Sequence, residues 1–165
     1  MLILGIDPGP RLHGYALLDV TRERRVRIAS GHCDTAEMVA RIALHTTSND
    51  GAEIVGVEWS GRILGGFDNH QRSRAIAAEL VATQGEAGIL VGCAWSRAVR
   101  IEAADWRLGI VGKKSPTDAQ VRAAILRLVE GWPARSSAGE HACDAAGVAL
   151  AAFNMARGSR RKEVV

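Results

Sequence analysis

The sequence predicts an α/β protein in which a mixed, five-stranded β-sheet is flanked by helices. Three strand-like runs follow one another near the start of the chain, which is typical of an antiparallel meander. After them, helical and strand-like runs alternate, and such alternation is typical of parallel strands joined by helices. The predicted order is three strands, a helix, a strand, a helix, a strand and two helices.

The meander is predicted from three apolar runs separated by turn residues. The strands are expected at 2–7, 14–20 and 25–33. The first ends at the turn sequence Asp7-Pro8-Gly9-Pro10, and the charged residues 21–24 fit a hairpin turn between the second and third strands.

The later elements are predicted from apolar spacing and from capping residues. Pro116 fits a first helical turn, and Thr117 or Ser115 could cap the helix that follows it. Gly85 and Gly88 lower helix propensity, but they would allow another helix to approach closely, so the long helix is not divided there. Helices are expected at 36–46, 70–94, 118–130 and 140–156, and strands at 53–58 and 99–103.

Length and composition indicate one domain. The 165 residues are enough for a single core, expected at 1–158 and followed by a basic, flexible tail at 159–165. No apolar run approaches the ~20 residues that cross a bilayer, and no signal peptide is visible, so neither a membrane nor a secreted protein is expected. Three cysteines without CxxC spacing suit a reducing cytoplasm.

The basic residues are unevenly divided between arginine and lysine. The net charge is +3, and of 21 basic side chains three are lysine, which leaves eighteen arginines. Arginine matches phosphate geometry with two parallel hydrogen bonds, so the composition suits a nucleic-acid partner. GC-rich coding explains the same excess, and we give the two explanations equal weight.

Four polar residues stand at positions that suit metal-dependent chemistry. Asp7 and Glu58 each end a predicted strand, and His141 and Asp144 are three residues apart on the last helix, so they share one face. Singly, each has an ordinary explanation: a turn former, an edge-strand charge or a solvated helix face. Asp7 in particular must either face water or meet a positive group, because a buried carboxylate without a partner is costly.

Together, the four residues indicate a site for divalent cations. Converging carboxylates repel one another, and a hard cation such as Mg²⁺ or Mn²⁺ relieves that repulsion. Two such ions about 4 Å apart can hold a phosphodiester, activate water and stabilise the leaving oxygen.

Several segments resemble the RuvC family of Holliday junction resolvases. The resemblance rests on ILGIDPG with Gly14-Tyr15, on the strand ending at Glu58 and on the helical HACDAAGVALAA. Residues 83–88 resemble the glycine-bearing part of the family's long helix, and 111–121 resemble its VxGxGxxxKxQV stretch. The likeness extends to about Arg157.

This resemblance implies a fold, an activity and a ligand set. It implies an RNase H-like fold and a homodimer that cuts four-way DNA junctions with two Mg²⁺ ions per active site, for which Mn²⁺ would substitute. Asp7 would bridge the metals, with Glu58 and Asp144 as further ligands. His141 stands where many members carry aspartate, and a neutral imidazole can also ligate.

DNA contacts are expected mainly through the phosphate backbone, and two-fold cutting through a symmetric dimer. The apolar face of the 70–94 helix is the expected dimer surface, with packing inside the chain as the alternative. The residues expected to contact DNA are Arg107, Lys113, Lys114, Ser115, Arg62, Arg72, Trp59 and Phe67.

The chain departs from the family pattern in three places. The segment before Glu58 is shorter than usual, and Gly61 stands where the family often has an aromatic residue that probes the junction centre. Trp59 or Phe67 could stack there instead. Asp118 replaces a family lysine, and Arg107, Lys113 and Lys114 could supply the missing phosphate contact.

Several other functions fit part of the pattern. A phage-type nuclease that debranches many DNA structures and an RNA nuclease of the YqgF type are the nearest alternatives. An actin- or Hsp70-like ATPase would need a second domain, and a junction-binding protein without activity would not need all four ligand positions. The sequence does not identify a branch-migration partner.

Overall fold

The computed structural model describes residues 1–47, 51–59, 70–133 and 139–162; side chains at 70–78, 80, 139 and beyond 158 are not described. The strands are β1 (Leu2–Asp7), β2 (His13–Val20), β3 (Arg25–Cys33), β4 (Ile54–Trp59) and β5 (Ala98–Glu102). The helices are α1 (Thr35–Thr47), α2 (His70–Ala94), α3 (Ala103–Val111), α4 (Asp118–Leu128) and α5 (Gly139–Lys162), with a 3₁₀ turn at Trp95–Arg97.

The strands form a mixed sheet in the order β3-β2-β1-β4-β5. The meander β1–β2–β3 is antiparallel, whereas β4 is parallel to both β1 and β5. The fold class predicted from the sequence is therefore confirmed. Because β1 and β4 run in the same direction, their carboxyl ends meet at one edge of the sheet.

Each face of the sheet is covered by its own set of helices. On one face, α3, α4 and α5 pack against Ile3, Leu18 and Ile101. On the other face, α1 and α2 pack against residues such as Leu4 and Val57. Side chains alternate between the faces along a strand, so Asp7 and Glu58 both lie on the face that α5 covers.

Helix α5 lies unusually close to the sheet because both surfaces carry small side chains. A Cβ atom at Gly5 of β1 would overlap the backbone of Ala145 and Ala149. On the helix side, the buried residues are mostly alanines, including Ala142, Ala145, Ala149 and Ala152. The close approach brings the helix face that bears His141 and Asp144 against the carboxyl end of β1.

Three differences from the sequence prediction are larger than one residue at the end of an element. Helix α3 was not predicted; it has no side-chain cap at its start and ends at Gly112, which has a positive φ of 82°. Helix α4 ends at Leu128, and the next two residues are extended, where Glu130 pairs with Val26. Helix α5 continues to Lys162, four residues into the segment expected to be a flexible tail.

The predicted cap of α4 is present. Thr117 accepts a hydrogen bond from the Gln120 backbone, and the Gln120 side chain accepts one from the Thr117 backbone, which is a capping box. In the described part of the chain, no helix is both long and apolar enough to cross a membrane.

Candidate active site

The four residues singled out in the sequence lie around the shared end of β1 and β4. The last ladder pair between these strands is Ile6 with Val57, so Asp7 and Glu58 each stand one residue beyond it. His141 and Asp144 face them from α5. Sequence positions more than eighty residues apart thus meet at one edge of the sheet.

Asp7 is buried, and an imidazole lies on it. Its side chain is 10% exposed, and the Nδ1 atom of His141 lies 2.6 Å from its Oδ2. This hydrogen bond is the largest influence on the imidazole and raises the pKa of His141. Asp7 at the end of its strand therefore meets a partner group and does not face water.

Glu58 is a buried acid whose charge is only partly compensated. The indole Nε1 of Trp106 donates to Oε2 at 2.8 Å, and a guanidinium nitrogen of Arg107 lies 4.0 Å from Oε1. Burial, and next the negative charge of Asp7, raise the pKa of Glu58 to about 7. The hydrogen bond from Trp106 and the charge of Arg107 oppose this rise without cancelling it.

Asp144 shares Arg107 with Glu58. The guanidinium donates to Asp144 Oδ2 at 3.2 Å. Burial, and next the charge of Asp7, still raise the pKa of Asp144 to about 6. Arg107 therefore lies between two carboxylates and supplies one positive charge against their combined repulsion.

The residues present fit a divalent cation in their chemistry. Three carboxylates and an imidazole are hard or borderline ligands. After burial, the charge of Asp7 is the next cause that raises the pKa of both Glu58 and Asp144, as expected for crowded carboxylates. As their side chains stand, no three His, Cys, Asp or Glu residues in the described ranges are gathered closely enough to hold an ion. Asp7, Glu58 and Asp144 are instead held by His141, Trp106 and Arg107, respectively.

The residues expected to contact DNA fall into three groups. Lys113, Lys114 and Ser115 are exposed in the turn between α3 and α4, as a phosphate-binding loop requires. Arg107 lies within the carboxylate cluster and not on an open basic face. Arg62 and Phe67 lie outside the described residues, and the side chain of Arg72, on α2, is not described.

Trp59 lies on the opposite face of the sheet from Glu58. Its ring packs on the core beneath α1 and α2, and the guanidinium of Arg100 lies 4.5 Å from the ring centroid. A ring already stacked and half-buried is poorly placed to stack on a DNA base. This geometry does not favour the stacking role suggested for Trp59.

Sequence reasoning missed two residues of the site. Trp106 was overlooked because helix α3, which carries it, was not predicted. His13, the first residue of β2, is fully buried near Asp7 and lies one residue before the predicted strand 14–20. The sequence signal for His13 is its position directly before an apolar strand. An imidazole buried there is expected to have hydrogen-bond partners.

Comparisons with known proteins find similarity in structure and not in sequence. No protein-family model and no curated protein sequence matches the chain. A structure of T. thermophilus RuvC in complex with a Holliday junction substrate matches with a TM-score of 0.69 over 96% of each chain, at 17% identity. The chain has the RNase H-like fold of this structure.

Two further solved structures agree with this assignment. A second Thermus thermophilus RuvC structure matches with a TM-score of 0.65 and 17% identity, over 96% of this chain and 97% of that one. A Fowlpox virus resolvase in complex with substrate Holliday junction DNA matches with a TM-score of 0.51 and 12% identity, over 94% and 99%. The five-stranded mixed sheet flanked by helices is the arrangement expected from the resemblance noted in the sequence.

Proposed function

We propose that this protein is a metal-dependent endonuclease that resolves four-way DNA junctions by cutting two opposed strands. The observation that carries the proposal is the convergence of Asp7, Glu58, His141 and Asp144 at one sheet edge of an RNase H-like fold. The similar RuvC and Fowlpox structures were solved with Holliday junction DNA, which supports this substrate over an RNA–DNA hybrid.

Two Mg²⁺ ions, for which Mn²⁺ would substitute, would be held by Asp7, Glu58 and Asp144 with His141, and would supply an activated water and charge neutralisation at the phosphate. The protein's own part is to position these ligands. Trp106 holds Glu58, and the hydrogen bond to His141 holds Asp7.

Arg107 has two partners in turn in this proposal. In the structure, its guanidinium balances Asp144 and lies near Glu58. Once cations take over that balance, the same guanidinium can donate to a phosphate oxygen of the substrate. The exposed Lys113, Lys114 and Ser115 would contact the backbone further along the strand.

The proposed active form is a homodimer, since two opposed cuts need two active sites related by a two-fold axis. The outer face of α2 supports this. Val81, Gly85, Gly88, Ile89 and Gly92 recur at helical spacing and are exposed, and Cβ atoms at the three glycines would meet no other described atom within 4 Å. We name these five residues the α2 stripe.

The cellular setting proposed is the cytoplasm. Cys33, Cys93 and Cys143 are all free thiols, which suits a reducing compartment. The partner in that compartment would be branched DNA, which attracts the basic protein through counterion release.

The proposal is tested by mapping cuts in four substrates. A synthetic four-way junction, a linear duplex, a replication fork and an RNA–DNA hybrid are each incubated with and without Mg²⁺. Paired cuts confined to the junction, and only with Mg²⁺, are expected. Similar rates on the fork would favour a broader debranching nuclease, and preferred cutting of the hybrid would favour an RNA nuclease.

Asp7→Asn is the variant that ties the activity to this site. It should abolish cutting with Mg²⁺ or Mn²⁺ while junction binding persists, because the amide loses the charge that holds cations. Asp105→Asn is a matched control, since Asp105 is an exposed acid on α3. Near wild-type cutting by Asp7→Asn would overturn the assignment.

A further inference from the structure

A fully buried histidine outside the carboxylate cluster links three elements of the fold. His13 is 0% exposed and is the first residue of β2. A buried imidazole needs hydrogen-bond partners on its ring nitrogens, and the structure supplies one to each. These partners belong to the loop after β1 and to helix α1.

The hydrogen bonds around His13 run in one direction. The backbone N–H of Gly9 donates to Nδ1 at 3.3 Å, and Nε2 lies 3.0 Å from the hydroxyl oxygen of Thr35. Thr35 in turn donates to the carboxylate of Glu86 on α2 at 2.9 Å. We name Gly9, His13, Thr35 and Glu86 the His13 relay.

The direction of the relay fixes the tautomer of the imidazole. A backbone N–H can only donate, so Nδ1 must be the accepting nitrogen and the ring proton must sit on Nε2. Thr35 accepts from Nε2 and uses its own proton on Glu86. The neutral ring is also favoured by its surroundings, since burial lowers the pKa of His13 against the opposing charges of Glu86, Asp7 and Asp34.

The loop that the relay holds is the one that follows Asp7. Gly9 approaches the backbone of Leu12 so closely that a Cβ atom there would overlap the Leu12 carbonyl oxygen, so the loop is tightly turned around His13. Beyond Gly9, the loop residues Pro10, Arg11 and Leu12 line one side of a cavity of about 690 Å³. Glu79 and Ala82 of α2, with His141, complete its lining.

We propose that His13 is a positioning residue for junction cutting: through the His13 relay it fixes the 8–12 loop, and with it Asp7 and the cavity wall beside His141. This inference rests on the proposed function and deepens it. The relay ties the loop to both α1 and α2, so the α2 side of the cavity and the loop side are held by one set of hydrogen bonds.

Three substitutions at position 13 test the contacts of the two ring nitrogens separately. Asn can present its Oδ1 to Gly9 in place of Nδ1, Gln can reach Thr35 in place of Nε2, and Leu does neither. We expect His13→Leu to lower the single-turnover cutting rate at least about tenfold at unchanged junction affinity. His13→Asn should restore part of that rate, because it keeps the acceptor for Gly9 and loses only the link to Thr35, whereas His13→Gln should restore less.

Thr35→Val breaks the link to α1 and α2 at little change in volume. Thr46→Val is its matched control, because the Thr46 hydroxyl is bonded to the Ile42 carbonyl within α1 and touches no part of the relay. We expect Thr35→Val, and not Thr46→Val, to slow cutting. Equal rates for His13→Asn and His13→Gln with parallel losses of thermal stability would reduce His13 to a structural residue and overturn the proposal.

Two measurements test the relay without any activity. The ¹⁵N shifts of the wild-type imidazole should report an unprotonated Nδ1 and a protonated Nε2 at neutral pH, and the Gly9 amide should exchange faster in His13→Leu than in His13→Asn. The opposite tautomer, or an unprotected Gly9 amide in the wild type, would refute the relay. If no branched DNA is cut while both measurements hold, the proposed function fails and the relay stands.

Discussion

Arg107 is the residue whose position differs most from its sequence interpretation. It was expected on an exposed basic face, but its guanidinium lies between Glu58 and Asp144 and over the ring of Trp106. Its Nε is buried and has no hydrogen-bond partner among the described residues. In the proposed function, this unsatisfied donor is available to a phosphate oxygen.

Replacing Arg107 with Gln should therefore have two effects. Without cations, the free energy of unfolding near pH 8 should fall by about 1–3 kcal/mol, because Asp144 loses its charged partner. With Mg²⁺, junction affinity should become less salt-dependent, with a slope smaller by about one, because one phosphate contact is lost. Denaturant melts in EDTA and binding at several salt concentrations measure both effects.

Lys113→Ala with Lys114→Ala provides the comparison for this prediction. Those side chains are exposed and form no ion pair with a carboxylate of the described residues, so the double variant should flatten the salt dependence and leave stability unchanged. An Arg107→Gln protein that behaves like the lysine variant, with no loss of stability, would contradict the role of Arg107 as a counter-charge.

The raised pKa of Glu58 predicts how the free energy of unfolding depends on pH. Its value of about 7 lies above the ordinary 4.5, and that of Asp144, about 6, lies above 3.8. In those intervals the folded protein keeps protons that the unfolded chain has released, so the free energy of unfolding falls as pH rises. The raised pKa of His141 acts in the same direction, since its stabilisation is present below pH 6.5 and is lost above its raised value.

Glu58→Gln should remove the largest part of this dependence. In EDTA, the variant should match the wild type near pH 4 and exceed it by about 2 kcal/mol near pH 8, because the amide carries no charge to desolvate. Added Mn²⁺ should stabilise the wild type and not the variant. Glu23→Gln, in the exposed 21–24 turn, is the control, and a variant curve parallel to that of the wild type would contradict the prediction.

Asp7, Glu58 and Asp144 could be predicted from the sequence because a strand end and a helix period each constrain where a side chain points. Asp7 and Glu58 follow apolar strands, and Asp144 lies one helical turn from His141. The roles of Trp106 and Arg107 as partners of Glu58 and Asp144 could not be predicted. Trp106 and Arg107 reach the site only because α3 packs against α5. No local sequence pattern in residues 103–111 predicts this contact.

At the scale of elements, the meander and the alternation that follows it were predicted because apolar periodicity reports burial directly. Helix α3 was missed for a physical reason: it is short, contains Gly109 and begins at Glu102 without a side-chain cap, so local signals are weak. Tertiary packing stabilises it instead. Trp106 is 1% exposed and is packed against Gly147 of α5.

Gly147→Ala tests whether this packing sets the geometry of the site. The added Cβ would lie 2.5 Å from the Trp106 ring, so the indole must shift, and such overpacking costs about 1–3 kcal/mol. The shift should weaken the bond from Trp106 to Glu58, so both stability and cutting should fall. Thermal melts and single-turnover rates measure the two.

Gly109→Ala is the matched control, because it replaces another helical glycine by alanine in open space. No described atom lies within 4 Å of its Cβ position, and alanine should stabilise α3 by up to about 1 kcal/mol. Opposite signs for the two variants are expected. If Gly147→Ala is as stable and as active as Gly109→Ala, α3 does not hold Glu58 in place through Trp106.

At the scale of the molecule, the two faces of α2 have separate roles. Ala87, Leu90 and Ala94 are buried against α1 and the sheet, whereas the α2 stripe faces away from the core. The sequence could not separate these faces, because apolar and small residues occur all around the helix. The described contacts assign the first face to the core and leave the α2 stripe exposed, as the proposed dimer requires.

If the proposed dimer forms, light scattering at micromolar concentration should give about twice 17.6 kDa for the wild type. Gly88→Glu should give a folded monomer, because the new side chain meets no described atom of its own chain but places two charges against each other across a two-fold axis. Gly109→Glu, on the exposed surface of α3, should remain a dimer.

Paired cutting should follow the oligomeric state. On a plasmid that extrudes a cruciform, a dimer cuts both opposed strands in one binding event and yields linear DNA, whereas separate monomers release nicked circles. Gly88→Glu should therefore shift the product from linear to nicked at similar stability, and Gly109→Glu should not. A Gly88→Glu protein that is monomeric by light scattering and still yields linear product would contradict this prediction. The two cuts would then be coupled without contact across the α2 stripe, so the second active site would lie elsewhere.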